Sequence, residues 1–165
     1  MLIDEFELRG NQLLPVRYSI LSSVAKDSSE IEETLVSRTT FFKMNSKLPL
    51  PFSLHYKTPE TLGNDRIAAV TGGMNMLPGQ NLLVIDAGTC ITYDFINKKG
   101  EYKGGGISPG IYMRFRALHT FTGKLPLVEL SENVELIGDS TRKVYIIPGV
   151  QYGIIEEVKG ICQPV

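Results

Sequence analysis

The chain has 165 residues, 42% of them hydrophobic and 21% charged, with a net charge of −1. That is one domain's worth of core-forming sequence, or a piece of a larger protein. Its near-neutral balance excludes a global field that recruits nucleic acid or an acidic membrane.

Cys90 and Cys162 stand without CxxC or Cys/His spacing. This argues against a zinc site and a disulfide framework and fits a reducing compartment. No apolar run approaches the roughly 20 residues that span a bilayer. The start, Met1-Leu2-Ile3-Asp4-Glu5, lacks the basic flank and long apolar core of a signal peptide. The expectation is a cytoplasmic protein with neither a membrane nor a nucleic-acid partner.

In chain order, residues 17–25 alternate as a strand does. Ser29-x-x-Glu32 is a capping-box pattern opening a short amphipathic helix with Ile31, Leu35 and Val36. Residues 41–44 suit a strand, and 47–52 (KLPLPF) an extended connector. A helix is expected over 61–77, with Leu62, Ile67, Ala68, Val70 and Met74 inward and Pro78-Gly79 as its stop. Two strands follow at 82–86 and 91–96, the first read as buried, then a polar turn at 97–100 and a third strand from Glu101. Residues 104–110 (GGGISPG) read as a flexible loop. It feeds a helix over 111–122 with Met113, Leu118 and Phe121 inward. A last helix starts near Ser140 or Thr141 and runs toward Val158, with a kink expected at Pro148. Interleaved strands and helices make the class α/β.

The most informative stretch is LLVIDAGTCITYDF, residues 82–95. An apolar strand ends in Asp86, small residues turn the chain at Gly88 and Thr89, and a second strand follows; Thr89 and Thr92 supply hydroxyls and Asp86 negative charge. Such a turn lets an anionic ligand approach the backbone, and a carboxylate beside phosphate oxygens calls for a cation between them. The same pattern fits an ordinary Gly hairpin.

The second constellation is Tyr56-x-x-Pro59-x-x-Leu62-Gly63-Asn64-Asp65-Arg66. A helix start offers free backbone N–H groups, Arg66 can clamp a carboxylate, and Asp65 can accept a hydroxyl proton. Taken alone, it fits better an acid that complements the helix dipole and pairs with Arg66. Arg114 and Arg116 read as solvated surface charges, and His119 as a packed or surface side chain. Gly138-Asp139-Ser140-Thr141 reads first as a helix cap whose hydroxyls can also meet a ligand.

Four segments occur in one order: YKTPETLGNDRIA, LLVIDAGTCITYDF, GGGISPGIYMRFRALHTFTGKLPL, and GDST followed by a helix with GVQYG. Together, over residues 48–160, they resemble type III pantothenate kinase. The resemblance implies an actin-like, sugar-kinase-like (ribonuclease H-like) duplicated α/β fold. Residues 1–78 would be the remainder of the N-terminal lobe, and 79–165 the start and middle of the C-terminal lobe. It implies a homodimer that phosphorylates pantothenate with ATP, the first step of coenzyme A synthesis, using magnesium and a monovalent cation such as potassium or ammonium. It makes Asp65 the general base. Tyr56, Gly63, Asn64, Arg66 and Thr141 become pantothenate contacts, Thr89 an ATP phosphate contact, and Asp86 the monovalent-cation ligand.

Two departures stand out. The family opens on a D-x-G-N-T phosphate loop and closes with a T-G-G turn, and the chain shows neither. The expectation is therefore a middle portion of such a kinase that does not turn over ATP by itself. The rival readings are a non-catalytic relative acting as a binding or transcription-accessory protein, and a kinase of the same superfamily acting on acetate or a sugar.

Overall fold

The computed structural model describes residues 16–23, 28–137 and 142–163. It contains two compact units, Met1–Leu50 with Thr58–Ala68, and Pro51–Lys57 with Ala69–Val165.

In the first unit, strand β1 (Tyr18–Leu21), helix α1 (Ser29–Arg38) and strand β2 (Thr40–Lys43) form a β-α-β crossover. The strands pair in parallel, from Tyr18 opposite Thr40 to Leu21 opposite Lys43. The residue capping α1 is Ser28, one position before the expected capping box. Its carbonyl accepts the Glu32 N–H at 2.9 Å, and its hydroxyl bonds the Glu32 carboxylate. Lys43 Nζ lies 2.6 Å from Glu32 Oε1 and ties β2 to the helix. A 3₁₀ turn (Pro59–Thr61) precedes helix α2 (Asn64–Met76), which starts three residues later than expected and whose residues 69–76 belong to the second unit. Pro59 opens that turn, and its carbonyl takes the Leu62 N–H at 3.2 Å.

The second unit is built on a four-stranded sheet in the order β3-β6-β5-β4. Strands β4 (Leu82–Ala87), β5 (Cys90–Ile96) and β6 (Glu101–Pro109) form an antiparallel meander, and β3 (Ser53–Leu54) adds in parallel to β6. The sheet corrects two expectations. The apolar run at 82–85 is not a buried strand: β4 has only β5 beside it, and Ile85 is 38% exposed. The buried strand is β5, with Ile91, Thr92, Tyr93, Asp94 and Ile96 all inside. Residues 104–109 are not a loop either. Gly104, Gly105 and Gly106 pair with Phe95, Asp94 and Tyr93, so ladder hydrogen bonds override the glycines' weak strand preference.

Gly73 brings α2 close to β4, since a Cβ there would meet Val84 Cγ2 at 3.0 Å. Helix α3 (Ile111–Phe121) and helix α4 (Arg142–Ile161) share a separate core of Phe115, Val128, Ile146 and Val150. The inward stripe of α3 is Ile111, Phe115 and Leu118, at i, i+4 and i+7. The expected Met113 and Phe121 are 39% and 85% exposed because they fall off that stripe. Helix α4 runs through Pro148.

Glu157 of α4 binds the sheet and α3 together. Its Oε1 accepts the Tyr93 hydroxyl at 2.7 Å and the Ser108 hydroxyl at 2.5 Å. Its Oε2 pairs with Arg114 Nη2 at 2.5 Å. Arg114 is therefore no solvated surface charge. The Ser108 bond, then the Arg114 guanidinium, hold the Glu157 carboxyl down at about 2, against an ordinary 4.5. Burial, then the bond to Glu157, pushes the Tyr93 hydroxyl above 10.0.

Folding lowers the Glu157 pKa, so its contribution is complete above about pH 4.5 and is lost as pH falls toward 2. Glu157→Gln should lower Tm at neutral pH and flatten the fall of Tm between pH 4.5 and 2. Thermal denaturation across that range checks this, and an unchanged acid slope would refute it.

Candidate active site

In the first unit, Gly63, Asn64, Asp65 and Arg66 lie together at the start of α2. The Gly63 carbonyl accepts the Ile67 N–H at 3.2 Å, so Gly63 stands at the cap position. Asp65 is exposed in the first helical turn, with Asn64 and Arg66 half-buried beside it. A Cβ at Gly63 would crowd only Asp65 Oδ1, the end of a flexible, exposed side chain. The missing side chain leaves room for the carboxylate. The outcome is an accessible acid and a guanidinium at a helix start, suited to accepting a proton and clamping an anion.

In the second unit, Asp86 and Thr89 flank the β4–β5 turn, and both are exposed. Asp86 pairs with Thr92 across the ladder, so the carboxylate and hydroxyl share one sheet face. The Gly88 N–H bonds the Cys90 carbonyl at 2.9 Å, and the Gly110 N–H bonds the Thr89 carbonyl at 2.9 Å. Gly110 is buried, and a Cβ on it would clash with the Gly88 carbonyl oxygen and lie 2.5 Å from that of Thr89. Arg114 Nε donates to the Pro109 carbonyl at 2.8 Å, fixing the segment that carries Gly110. Gly110 and Arg114 are thus site-supporting residues that sequence reasoning missed. Gly110 was hidden in a glycine-rich stretch, and the Arg114 partners are distant in sequence.

Tyr56, also in the second unit, is half-buried beyond β3. Its ring meets the Tyr102 ring edge-on at 6.2 Å. Thr141, with residues 138–140, lies outside the described residues. His119 is exposed, with Nδ1 2.8 Å from the Leu125 carbonyl oxygen. Among the described residues no group of three or more His, Cys, Asp or Glu side chains is placed to hold a metal ion. No described helix is long and apolar enough to cross a membrane.

The family model for type III pantothenate kinase matches residues 3–164. The chain belongs to this family. The match reaches beyond the motif-bearing residues 48–160 at both ends. A type III pantothenate kinase of Christiangramia forsetii is 46% identical over 157 residues, 95% of the chain and 64% of the relative. One from Bacteroides fragilis is 50% identical over 117 residues, 71% of the chain and 48% of the relative. The chain therefore spans about half to two thirds of the length of these curated relatives. Among solved structures, a Campylobacter jejuni protein assigned to the Baf family of transcriptional activators superposes with a TM-score of 0.59. It covers 89% of this chain and 65% of its own, at 22% identity, which establishes likeness of fold alone.

Gly110→Ala and Gly63→Ala should behave differently. The first drives a methyl group into two backbone carbonyls and should destabilise the protein by about 1–3 kcal/mol, the usual range for overpacking. The second meets only the end of a side chain and should leave Tm nearly unchanged while moving the Asp65 carboxylate. Chemical denaturation and the Asp65 carboxylate ¹³C resonance test the pair. A Gly110→Ala protein as stable as the parent would refute the tight seating.

Proposed function

We propose that the protein to which this chain belongs phosphorylates pantothenate with ATP at its 4′-hydroxyl, opening coenzyme A synthesis. The observation that carries this reading is the family match across residues 3–164, together with an accessible Asp65 beside Arg66 at a helix start. Asp65 acts as general base on the pantothenate hydroxyl, and Arg66 clamps the pantothenate carboxylate. Gly63 and Asn64 shape the same mouth, Tyr56 lines the substrate, and Thr141 is a further pantothenate contact. Thr89 bonds an ATP phosphate. The γ-phosphoryl group passes in line to the hydroxyl, and positioning with electrostatic stabilisation supplies most of the rate.

The reading includes magnesium carried with ATP and a monovalent cation at Asp86. A hard cation needs oxygen donors, and the exposed Asp86 carboxylate with the hydroxyl of Thr92 on the same face fits that chemistry. Such a cation supplies positive charge against the phosphates. We also assign the protein an actin-like duplicated fold with a lobe boundary near residue 78, a homodimeric state and a cytoplasmic location. A transcription-accessory role rests on a fold likeness at 22% identity, and a net charge of −1 gives it no electrostatic support.

Turnover is measured on a protein of the relatives' full length that carries this sequence. Asp65→Asn should cut kcat by roughly 10²–10⁴-fold, the usual contribution of a general base, with pantothenate affinity and Tm retained. Near-parental turnover would remove Asp65 from that role. Asp86→Ala should abolish the activation by potassium or ammonium, and intact activation would show that the cation binds elsewhere.

A further inference from the structure

Asp94 is the one carboxylate among the described residues that is completely buried, at 0% exposure, and Tyr102 is 1% exposed beside it. The Tyr102 hydroxyl donates to Asp94 Oδ1 at 2.6 Å. A strand core is ordinarily filled with aliphatic side chains, and an interior carboxylate is unfavourable unless hydrogen-bonded. What this pair does is fix the far end of a large ring. Tyr102 packs between Phe52, at 6.2 Å and 39°, and Tyr56, at 6.2 Å and 61°. The backbone next to Tyr56 is tied to the same residue, since the His55 N–H bonds the Tyr102 carbonyl at 3.1 Å.

The strand around Tyr102 is irregular in a way that serves this contact. The β5–β6 register shifts between Phe95 and Ile96. Tyr102 stands opposite Ile96 and Gly104 opposite Phe95, with Lys103 as the extra residue. Such a bulge re-aims side chains. Gly104 takes φ +102°, a conformation that disfavours any side chain, and its Cβ position lies 3.8 Å from Tyr56 Cδ2. One ring carbon of Tyr56 therefore lies beside the glycine, and the ring meets Tyr102 edge-on. The ring is held in place yet stays half-exposed.

We propose that Asp94 and Tyr102 are positioning residues: the buried hydroxyl–carboxylate bond holds the Tyr102 ring, which orients Tyr56 for pantothenate. The proposal rests on Tyr56 being a pantothenate contact, as assigned above. It distinguishes a working contact chain, Asp94 to Tyr102 to Tyr56, from ordinary core packing. The two make different predictions for how the residues combine.

The test is a double-mutant cycle on a protein of the relatives' full length that carries this sequence, with pantothenate affinity read by calorimetry. Tyr102→Phe keeps the ring and takes one donor from the buried Asp94 carboxylate, so its Tm should fall somewhat, and affinity is compared well below the Tm. The substitution should weaken binding on the order of 3–10-fold, within the range of coupled neighbours. Tyr56→Ala should weaken it at least as much, and the double variant no further than Tyr56→Ala alone. Asp94→Asn keeps an oxygen acceptor for Tyr102 and should bind like the parent. In ligand-free protein, the Tyr56 ring resonances should shift in Tyr102→Phe. If Tyr102→Phe binds like the parent, or its loss adds in full to that of Tyr56→Ala, the positioning role is overturned while the Tyr56 contact stands. If Tyr56→Ala leaves affinity unchanged, the contact falls and the proposal with it. If no pantothenate binding is detected at all, the Tyr56 contact falls and the proposal with it.

Discussion

The Glu157 carboxylate is the interaction on which the arrangement of the second unit depends. It takes hydroxyls from β5 and β6 and a guanidinium from α3, while it belongs to α4. A partly buried carboxylate is tolerated when its lone pairs are filled, and these donors fill them. The effect reaches further than the ion pair. Ser108 leads into Pro109 and Gly110, Arg114 grips the Pro109 carbonyl, and Gly110 seats against the Gly88–Thr89 turn. The shape of a surface turn that holds two candidate ligand-binding residues is thus referred back to one charge cluster between the sheet and its helices.

Two glycines do the corresponding work at short range, and neither needs an unusual backbone angle. Gly110 has φ −68° and is required by carbonyl oxygens facing its Cα. Gly63 leaves room for the exposed Asp65 carboxylate. In both places the absence of a Cβ lets another group approach. Active sites that bind anions by backbone approach use glycine in this way.

Much of this was legible in the sequence, for identifiable reasons. The 82–95 stretch shows its turn because Asp, Gly and Thr interrupt two strand-forming runs, and Pro59 with the Gly63–Arg66 block marks a helix start. What was illegible depends on partners far along the chain. Gly104–Gly106 look like a loop until β5 pairs with them. The apolar run in β4 looks buried until the strand order leaves it at an edge. Glu157 lies 43 and 64 residues from Arg114 and Tyr93, a separation at which no local pattern speaks. Asp94 was visible only as one polar residue in a strand, and its burial follows from Tyr102 reaching it across a bulge.

In the proposed function, residues 63–66 bind pantothenate and residues 86–89 bind ATP. Amide chemical-shift mapping by NMR at millimolar ligand tests this most directly. Pantothenate should perturb Tyr56 and residues 63–66, and magnesium-ATP should perturb residues 86–89 and Gly110. Perturbations confined to other surfaces, or none from either ligand, would contradict the account.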